Sequence, residues 1–453
     1  MNRREFLAST AAMAAAPAVG AVSAQKLRLA PARLHLVGEA NPSTEVWAYN
    51  GAVPGPELRF RQGERLRIEV ENALGVDSTV HWHGVRLPHA MDGVPHLTQP
   101  PIRAHGGRFT YEFDLPDAGT YWYHPHLGSA EQVGRGLYGA LIVEEREAPK
   151  VDRDLAWVLS DWRLDRQARL AENFANAMDA SHAGRIGNTV TVNGAIRETF
   201  AVRAGERIRL RLVNASNARI YGLRFEGHET WVIALDGQPV EPHAATRVVL
   251  GPGMRADLIL DCRGAPGSAH RVIDDFYRNR AYELLKIQYS AAQALRERFD
   301  KVPTLPANPV ARPDVARAHR HRIVFGGGAM GVMPSQREHR GLFWTVNGRP
   351  LAEHHHDHGD TPLLTLARGN SYVLELVNET AWHHPIHLHG HVFAIVSRNG
   401  EASARMEWGD TVLLDPESRA EIAFVADNPG DWMLHCHVLE HQASGMMAVL
   451  RVA

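Results

Sequence analysis

Between residues 63 and 72 the chain alternates apolar and charged side chains, with Leu66, Ile68 and Val70 spaced two apart. The same spacing returns at Ile208, Leu210 and Leu212. A period of two is that of a strand with one buried face. Both segments belong to a repeated unit. Gly63-Glu-Arg-Leu-Arg-Ile-Glu-Val-Glu-Asn72 recurs as Gly205-Glu-Arg-Ile-Arg-Leu-Arg-Leu-Val-Asn214 and, more loosely, as Gly369-Asn-Ser-Tyr-Val-Leu-Glu-Leu-Val-Asn378. Such a recurrence points to copies of one module. An Asn-Gly pair precedes each copy, at Asn50-Gly51, Asn193-Gly194 and Asn347-Gly348; both residue types tolerate positive φ and mark tight turns. Further strand-like runs lie at 108–115 and 247–250, and the best place for a short helix is 165–180. Many short strands between Gly and Pro turns predict an all-β chain of antiparallel sandwiches. The expected units are residues 25–148, 149–290 and 319–453. Residues 291–318, polar and carrying Pro303, Pro306, Pro309 and Pro313, read as a linker.

Residues 1–24 stand apart. Arg3-Arg4 precede Phe6-Leu7, an Ala-rich apolar stretch follows, and Val22-Ser23-Ala24 ends it. A basic head, an apolar middle and a small-residue cleavage site make an export signal, of the twin-arginine type in this case. The expectation is a periplasmic protein exported by that signal.

Composition narrows the functional classes. Of 453 residues, 49 are Lys or Arg and 51 are Asp or Glu, giving a formal net charge of −2, which argues against a nucleic-acid partner. No apolar stretch of about 18 residues lies beyond the N-terminus, so no membrane span is expected. Two cysteines cannot build a disulfide framework; Cys262, unpaired, reads as a buried apolar filler. The outlier is histidine, with 27 residues.

The histidines fall in four clusters: His81-Trp82-His83-Gly84, His124-Pro125-His126, His384-Pro385-Ile386-His387-Leu388-His389, and His435-Cys436-His437 followed by His441 and Met446. In an extended strand an H-x-H pair puts both imidazoles on one face, offering two nitrogen ligands to one cavity. Buried imidazoles without a metal would need a partner for every ring nitrogen. The fourth cluster offers thiolate, imidazole and thioether from one loop, and His384 can complete the set. Two His, one Cys and a weak axial Met describe a blue-copper electron-transfer site.

The repeat also says which units carry these clusters. The first follows Asn72 and the third follows Asn378, whereas Asn214 is followed by Ala215, Ser216, Asn217 and Arg219. Gly119-Thr-Tyr-Trp-Tyr-His124-Pro-His126 aligns with Gly430-Asp-Trp-Met-Leu-His435-Cys-His437. Units one and three therefore carry metal half-sites that must meet at an interface, and unit two carries none.

Together the motifs H-W-H-G, H-x-H, H-P-x-H-L-H-G-H and H-C-H-x-x-x-H-x-x-x-G-M, the last present as HCHVLEHQASGM, resemble those of three-domain multicopper oxidases of the bacterial laccase type. The resemblance spans essentially all of the chain after residue 24. It implies three cupredoxin-like β-sandwich domains and four copper ions per chain. Type 1 copper would be held by His384, Cys436, His441 and, axially, Met446. Type 2 copper would be held by His81 and His387. The type 3 pair would be held by His83, His124 and His437 on one ion, and by His126, His389 and His435 on the other.

The implied reaction couples four one-electron oxidations of a donor to reduction of dioxygen to water. On this reading Cys436 links the inlet to the cluster through its neighbours, and His441 or His384 presents an exposed edge to the donor. Asp92, in Met91-Asp92-Gly93, matches the family's acid near the cluster, although Asp-Gly is also a plain turn. The family often has Glu after the ligand equivalent to His441; Gln442 stands there and cannot transfer a proton in the same way. Glu440 is expected to point elsewhere, on a strand or turn.

The donor is expected to be a phenol or aromatic amine, with Cu(I), Fe(II) or Mn(II) as the alternative class. For the metal-ion class, Met330 and Met333 form a thin soft pair, and His354-His355-His356-Asp357-His358 reads as a solvated loop. A copper nitrite reductase would leave the type 3 ligands idle, and a copper-free scaffold would have no reason to keep them. A monomer is expected.

Overall fold

The computed structural model describes residues 25–174, 176–331, 341–351 and 361–453. The leader, Met333 and residues 354–358 lie outside the described residues. Strands dominate and pair into six sheets. The N-terminal part forms two four-stranded sheets, one centred on Gln25–Leu34 and Arg65–Asn72, the other on Gly119–His124 and Gly139–Glu144. The middle part, from Arg153 to Tyr289, forms a six-stranded and a five-stranded sheet, and the C-terminal part repeats that arrangement. Pairing is mostly antiparallel, but each of the six sheets also contains one parallel pair.

The repeat has a structural cause. In each copy the Asn-Gly pair forms a turn with both residues at positive φ, as at Asn50 (53°) and Gly51 (75°). The Asn side chain then accepts a hydrogen bond from the neighbouring strand: Arg28 N in the first copy, Val158 N in the second and Val324 N in the third. The Asn ending each repeated strand organises the following loop from its side chain. Asn72, Asn214 and Asn378 each donate to two backbone carbonyls and accept a backbone N–H two residues on. In the first and third copies that loop leads into a strand bearing histidines, His81–His83 and His384–Leu388; in the second it leads into Tyr221–Phe225.

Two local expectations change, and a third gains detail. Among the described residues of 165–180 only 177–180 are helical, as part of the helix Ala177–Ser181, capped by Asn176, whose side chain accepts from Asp179 N. The residues before it turn because the Asp165 carboxylate accepts from Gln167 N and Arg169 N and Ala168 takes a φ of 57°. The stretch 291–318 carries no strand, yet it is fastened down. Asn308 bonds both the N–H and the carbonyl of Ala118 and reaches the Gln238 side chain, while Leu305 is buried against Ile233 and Ile259. Glu440 lies in a short helix, Leu439–Ala443, and not on a strand or turn. Cys262 sits in the apolar core of the middle unit.

Candidate metal centres

All ten histidines of the four clusters are buried, together with Cys436 and Met446. Two groups of them separate in space. The first contains His384, Cys436 and His441, whose ligand atoms lie within 4.8 Å of one another. His384 comes from its strand, Cys436 from the end of Gly430–Cys436, and His441 from the following helical turn. Hydrogen bonds fix the ring orientations. His384 Nε2 donates to Thr380 Oγ1 (2.8 Å) and His441 Nε2 donates to the His182 carbonyl (2.6 Å). Each ring therefore aims Nδ1 inward, and the two Nδ1 atoms lie 3.1 Å apart, 3.4 and 3.7 Å from Cys436 Sγ. Two nitrogen lone pairs that close repel unless a cation sits among them. Met446 lies on the same loop, its carbonyl accepting from Cys436 N at 3.1 Å. Burial pushes the Cys436 thiol far up, so thiolate there needs a bound cation.

The second group is a chamber lined from both ends of the chain. His81 stacks on His389 at 4.0 Å and His83 on His387 at 3.8 Å, so the half-sites of the first and last units meet. His126, His389 and His435 converge, with Nε2 of the last two 3.0 Å apart. His437 faces His83 at 4.8 Å and His124 at 5.2 Å between ring centres. The outward nitrogens are tied down: His81 Nδ1 to the Asp92 carbonyl, His124 Nδ1 to Pro125 O, His387 Nδ1 to Asp410 O and His435 Nδ1 to Cys436 O.

The inward nitrogens give the fit test for metal. His81 Nε2, His83 Nδ1, His124 Nε2, His387 Nε2 and both nitrogens of His437 are buried without a hydrogen-bond partner among the described residues. Such orphaned acceptors are costly unless a metal uses them. Burial, followed by the neighbouring imidazoles, holds His83, His126, His389 and His437 well below the usual histidine range, which keeps them neutral and ready to ligate.

Asp92 is both an acid at the chamber and part of a tight turn. Its Oδ2 accepts from His389 Nδ1 at 2.7 Å, and Gly93 follows at a φ of 84°, where a Cβ would strike the Val80 carbonyl. Gln442 is fully buried, and neither its Oε1 nor its Nε2 has a partner among the described residues. Glu440 is also buried. It accepts from Arg185 N and Asn217 Nδ2 of the middle unit, and burial raises its pKa.

The donor edge differs from expectation. Neither His384 nor His441 is exposed. Ala177–Ser181 and His182, all from the middle unit, cover them: the His182 carbonyl takes the His441 ring N–H, and the Ala180 carbonyl accepts from Trp344 Nε1 at 2.6 Å. Trp344 in turn lies 4.2 Å from the His441 ring. Nothing in the local pattern around His441 signals this cover, because it arrives from about 260 residues upstream.

A buried site of one cysteine and two histidines, beside a multi-histidine chamber shared by two β-sandwich units, defines a copper-binding oxidoreductase. Three family models described as multicopper oxidase match residues 34–148, 153–293 and 334–453. The solved structure of a multi-copper oxidase from Pseudomonas thermotolerans is 37% identical, covers 95% of this chain and 99% of its own, and superposes with a TM-score of 0.86. The multicopper oxidase MmcO of Mycobacterium tuberculosis is 29% identical over 96% of this chain and 88% of its own length. Laccase-1 of Botryotinia fuckeliana is 29% identical over 88% and 77%. The chain belongs to the multicopper oxidase family: it is a copper-dependent oxidoreductase that uses dioxygen and an electron donor, with four coppers (one type 1, one type 2 and two type 3).

Proposed function

We propose that this chain oxidises phenols or aromatic amines in the manner of a laccase. In this reading His384, Cys436, His441 and Met446 hold type 1 copper. His81 and His387 hold type 2; His83, His124 and His437 hold one type 3 ion, and His126, His389 and His435 the other. Copper held by these residues would supply one-electron redox chemistry, coupling four single-electron oxidations of the donor to reduction of dioxygen to water. Cys436 supplies the bridge, since its sequence neighbours His435 and His437 line the chamber while its own sulfur faces His384 and His441. Val438 N donates to that sulfur at 3.3 Å and helps hold it as thiolate. Asp92 orients His389 and His81 and is placed to hold a proton at the chamber wall. The chamber's burial excludes bulk water from the reacting oxygen.

One observation carries the donor class. Outside the type 1 histidines lies a patch of half-buried rings: His182 packs edge-on against Trp382 at 5.3 Å, and His383, adjacent to His384, meets Phe276 at 5.3 Å. Aromatic donors stack on such surfaces, and the 2.6 Å bond from His441 to the His182 carbonyl shortens the path inward. A second reading, oxidation of Cu(I), Fe(II) or Mn(II), is favoured by the exposed Met178 and Met330, one on each segment joined by the Ala329 N to Ser181 O bond. We further propose an exported, periplasmic monomer, with unit boundaries at 25–148, 149–290 and 319–453. Among the described residues no helix is long and apolar enough to cross a membrane.

Oxygen uptake with a phenol panel, Cu(I) and Fe(II) separates the donor classes. The laccase reading requires higher kcat/KM for phenols than for the metal ions, and a loss confined to phenols in Trp382→Leu. The reverse order would establish the metallo-oxidase. Cys436→Ser is expected to abolish the blue band and oxygen uptake while copper stays in the chamber.

A further inference from the structure

The middle unit has no histidine cluster, yet one of its arginines reaches the chamber. Arg255, at the start of Arg255–Asp261, is fully buried and grips the buried Asp410 of the last unit with Nη1 on Oδ1 (2.8 Å) and Nη2 on Oδ2 (2.5 Å). Its Nε donates to the Thr120 carbonyl of the first unit at 3.0 Å, and its own N–H donates to Asp236 Oδ1 at 2.8 Å. One guanidinium thus ties three units together at the chamber wall.

Asp410 faces two of the histidines. His83 Nε2 donates to Asp410 Oδ1 at 3.1 Å, and His387 Nδ1 donates to the Asp410 carbonyl at 2.9 Å with Oδ1 at 3.3 Å. Thr411 Oγ1 donates to the same Oδ1 at 2.8 Å. The two rings stack nearly parallel, at 15°. They nevertheless use opposite nitrogens for these bonds, leaving Nδ1 of His83 and Nε2 of His387 without partners. A ring nitrogen that carries a proton cannot ligate, so the acceptor outside the chamber decides which nitrogen is available inside it.

We infer that Asp410, clamped by Arg255 of the copper-free unit, is a positioning residue that selects the copper-facing nitrogens of His83 and His387. The inference rests on the ligand assignment proposed above. The physical reasoning is direct. A buried carboxylate is costly without a counter-charge, and Arg255 is the cation bonded to it. The bidentate geometry also fixes the carboxylate plane, so Oδ1 stays aimed at His83. No other side chain fits between them: a Cβ on Gly84 would lie 2.3 Å from Arg255 Nη2 and 2.4 Å from Asp410 Oδ2. A unit without ligands would then be retained partly because it supplies this charge.

The test is the double variant R255M/D410N, which removes the Arg255–Asp410 pair together, keeps side-chain volume close and leaves Asp236 to the Arg255 and Thr411 backbone N–H groups. It is compared with wild type after copper reconstitution. Four coppers in wild type, with blue and near-ultraviolet bands, establish the ligand assignment separately; fewer would sink that assignment first. The variant is expected to keep the blue band and to hold chamber copper about 10–100-fold more weakly against a chelator, as outer-shell changes do. A shifted type 2 electron paramagnetic resonance spectrum should accompany that loss. A folded variant with four coppers and unchanged type 2 and near-ultraviolet signals would overturn the inference. If the double variant does not fold, isosteric D410N is read the same way. Arg209→Met, which breaks a buried pair between the first two units away from the histidines, is the control. It should lower Tm without moving the spectra, and an equal spectral loss there would reduce Asp410 to general glue.

Discussion

Arg67 and Arg209 occupy the same place in two copies of the repeat, five positions before the closing Asn. On Arg65–Asn72 the charged residues alternate with the core and face water, and Arg67 pairs loosely with Glu112 at 3.4 Å. On Arg207–Asn214 every residue is buried. Arg209 is bonded to Glu145 of the first unit and to Asp257 of its own sheet, each at 2.7 Å, and Arg211 pairs with Asp154 and Asp257. The same alternating pattern thus makes a solvated face in one unit and a charged seam in another. The middle unit carries no histidine cluster and is the piece against which the other two are set. Apart from that seam, the middle unit reaches the candidate copper region through Arg255, Gly253, the cover over His441, and Arg185 and Asn217, which hold Glu440.

The widest gap between the units should open with pH in copper-free protein. Nine cluster histidines (His83, His124, His126, His384, His387, His389, His435, His437 and His441) are shifted down by burial, His441 to about 3. The unfolded chain takes up protons near pH ~6.5 that the fold refuses. Stability is therefore intact above that pH and lost as pH falls below it, by up to ~1.4 kcal/mol per histidine per pH unit. Unfolding free energies from denaturant titration at pH 7.5 and 5.5 should differ by several kcal/mol without copper and much less with it. Equal losses would mean that the chamber histidines are not held neutral.

Next in size is the arginine pair. Arg209→Met leaves buried carboxylates uncompensated and should cost about 3–5 kcal/mol; Arg67→Met should stay below ~1 kcal/mol. Urea unfolding of both variants measures the difference, and similar costs would dissolve the contrast drawn above. Smaller again is Gly253→Ala. Gly253 has a φ of 84°, and a Cβ would sit 2.9 Å from His437 and 3.0 Å from His83. It should cost about 1–3 kcal/mol and disturb the near-ultraviolet band. Gly267→Ala, at a φ of 81° with open space around it, should share the strain and leave the spectrum alone. The smallest effect is on rate. Gln442→Glu restores a titratable group where a side chain has no partner, and should raise turnover under donor excess several-fold, short of the ~100-fold that a well-placed acid can supply. Unchanged turnover would mean that protons reach the chamber by another route.

Much of the site was readable because its chemistry is local. H-x-H on a strand brings its own geometry, and the Asn-Gly turns and closing Asn residues act within a few positions of themselves. Asp92 could be read either as a turn or as an acid; it sits in the turn before Gly93, and its carboxylate accepts from His389 at the chamber wall. What escaped was set by distance along the chain. His441 looked accessible because the covering His182 lies in another unit. Nothing in the sequence set Arg209 or Arg255 apart, because alternation reports which face packs on the unit's own core and says nothing of what covers the other. Asp410 carried no motif at all; only its meeting with His83, some 330 residues away, reveals it.

The strand that ends at Cys436 places consecutive residues on opposite sides. One peptide segment therefore lines both candidate metal groups, and the separation between them is set by backbone geometry alone. Selection can retune the donor surface or the acid supply by exchanging side chains on other elements, but it has no freedom to lengthen or shorten this connection. A single inserted or deleted residue in His435-Cys436-His437 would turn sulfur and imidazoles to the wrong sides at once. Diversity among such enzymes should accordingly accumulate around the inlet and leave the wire untouched.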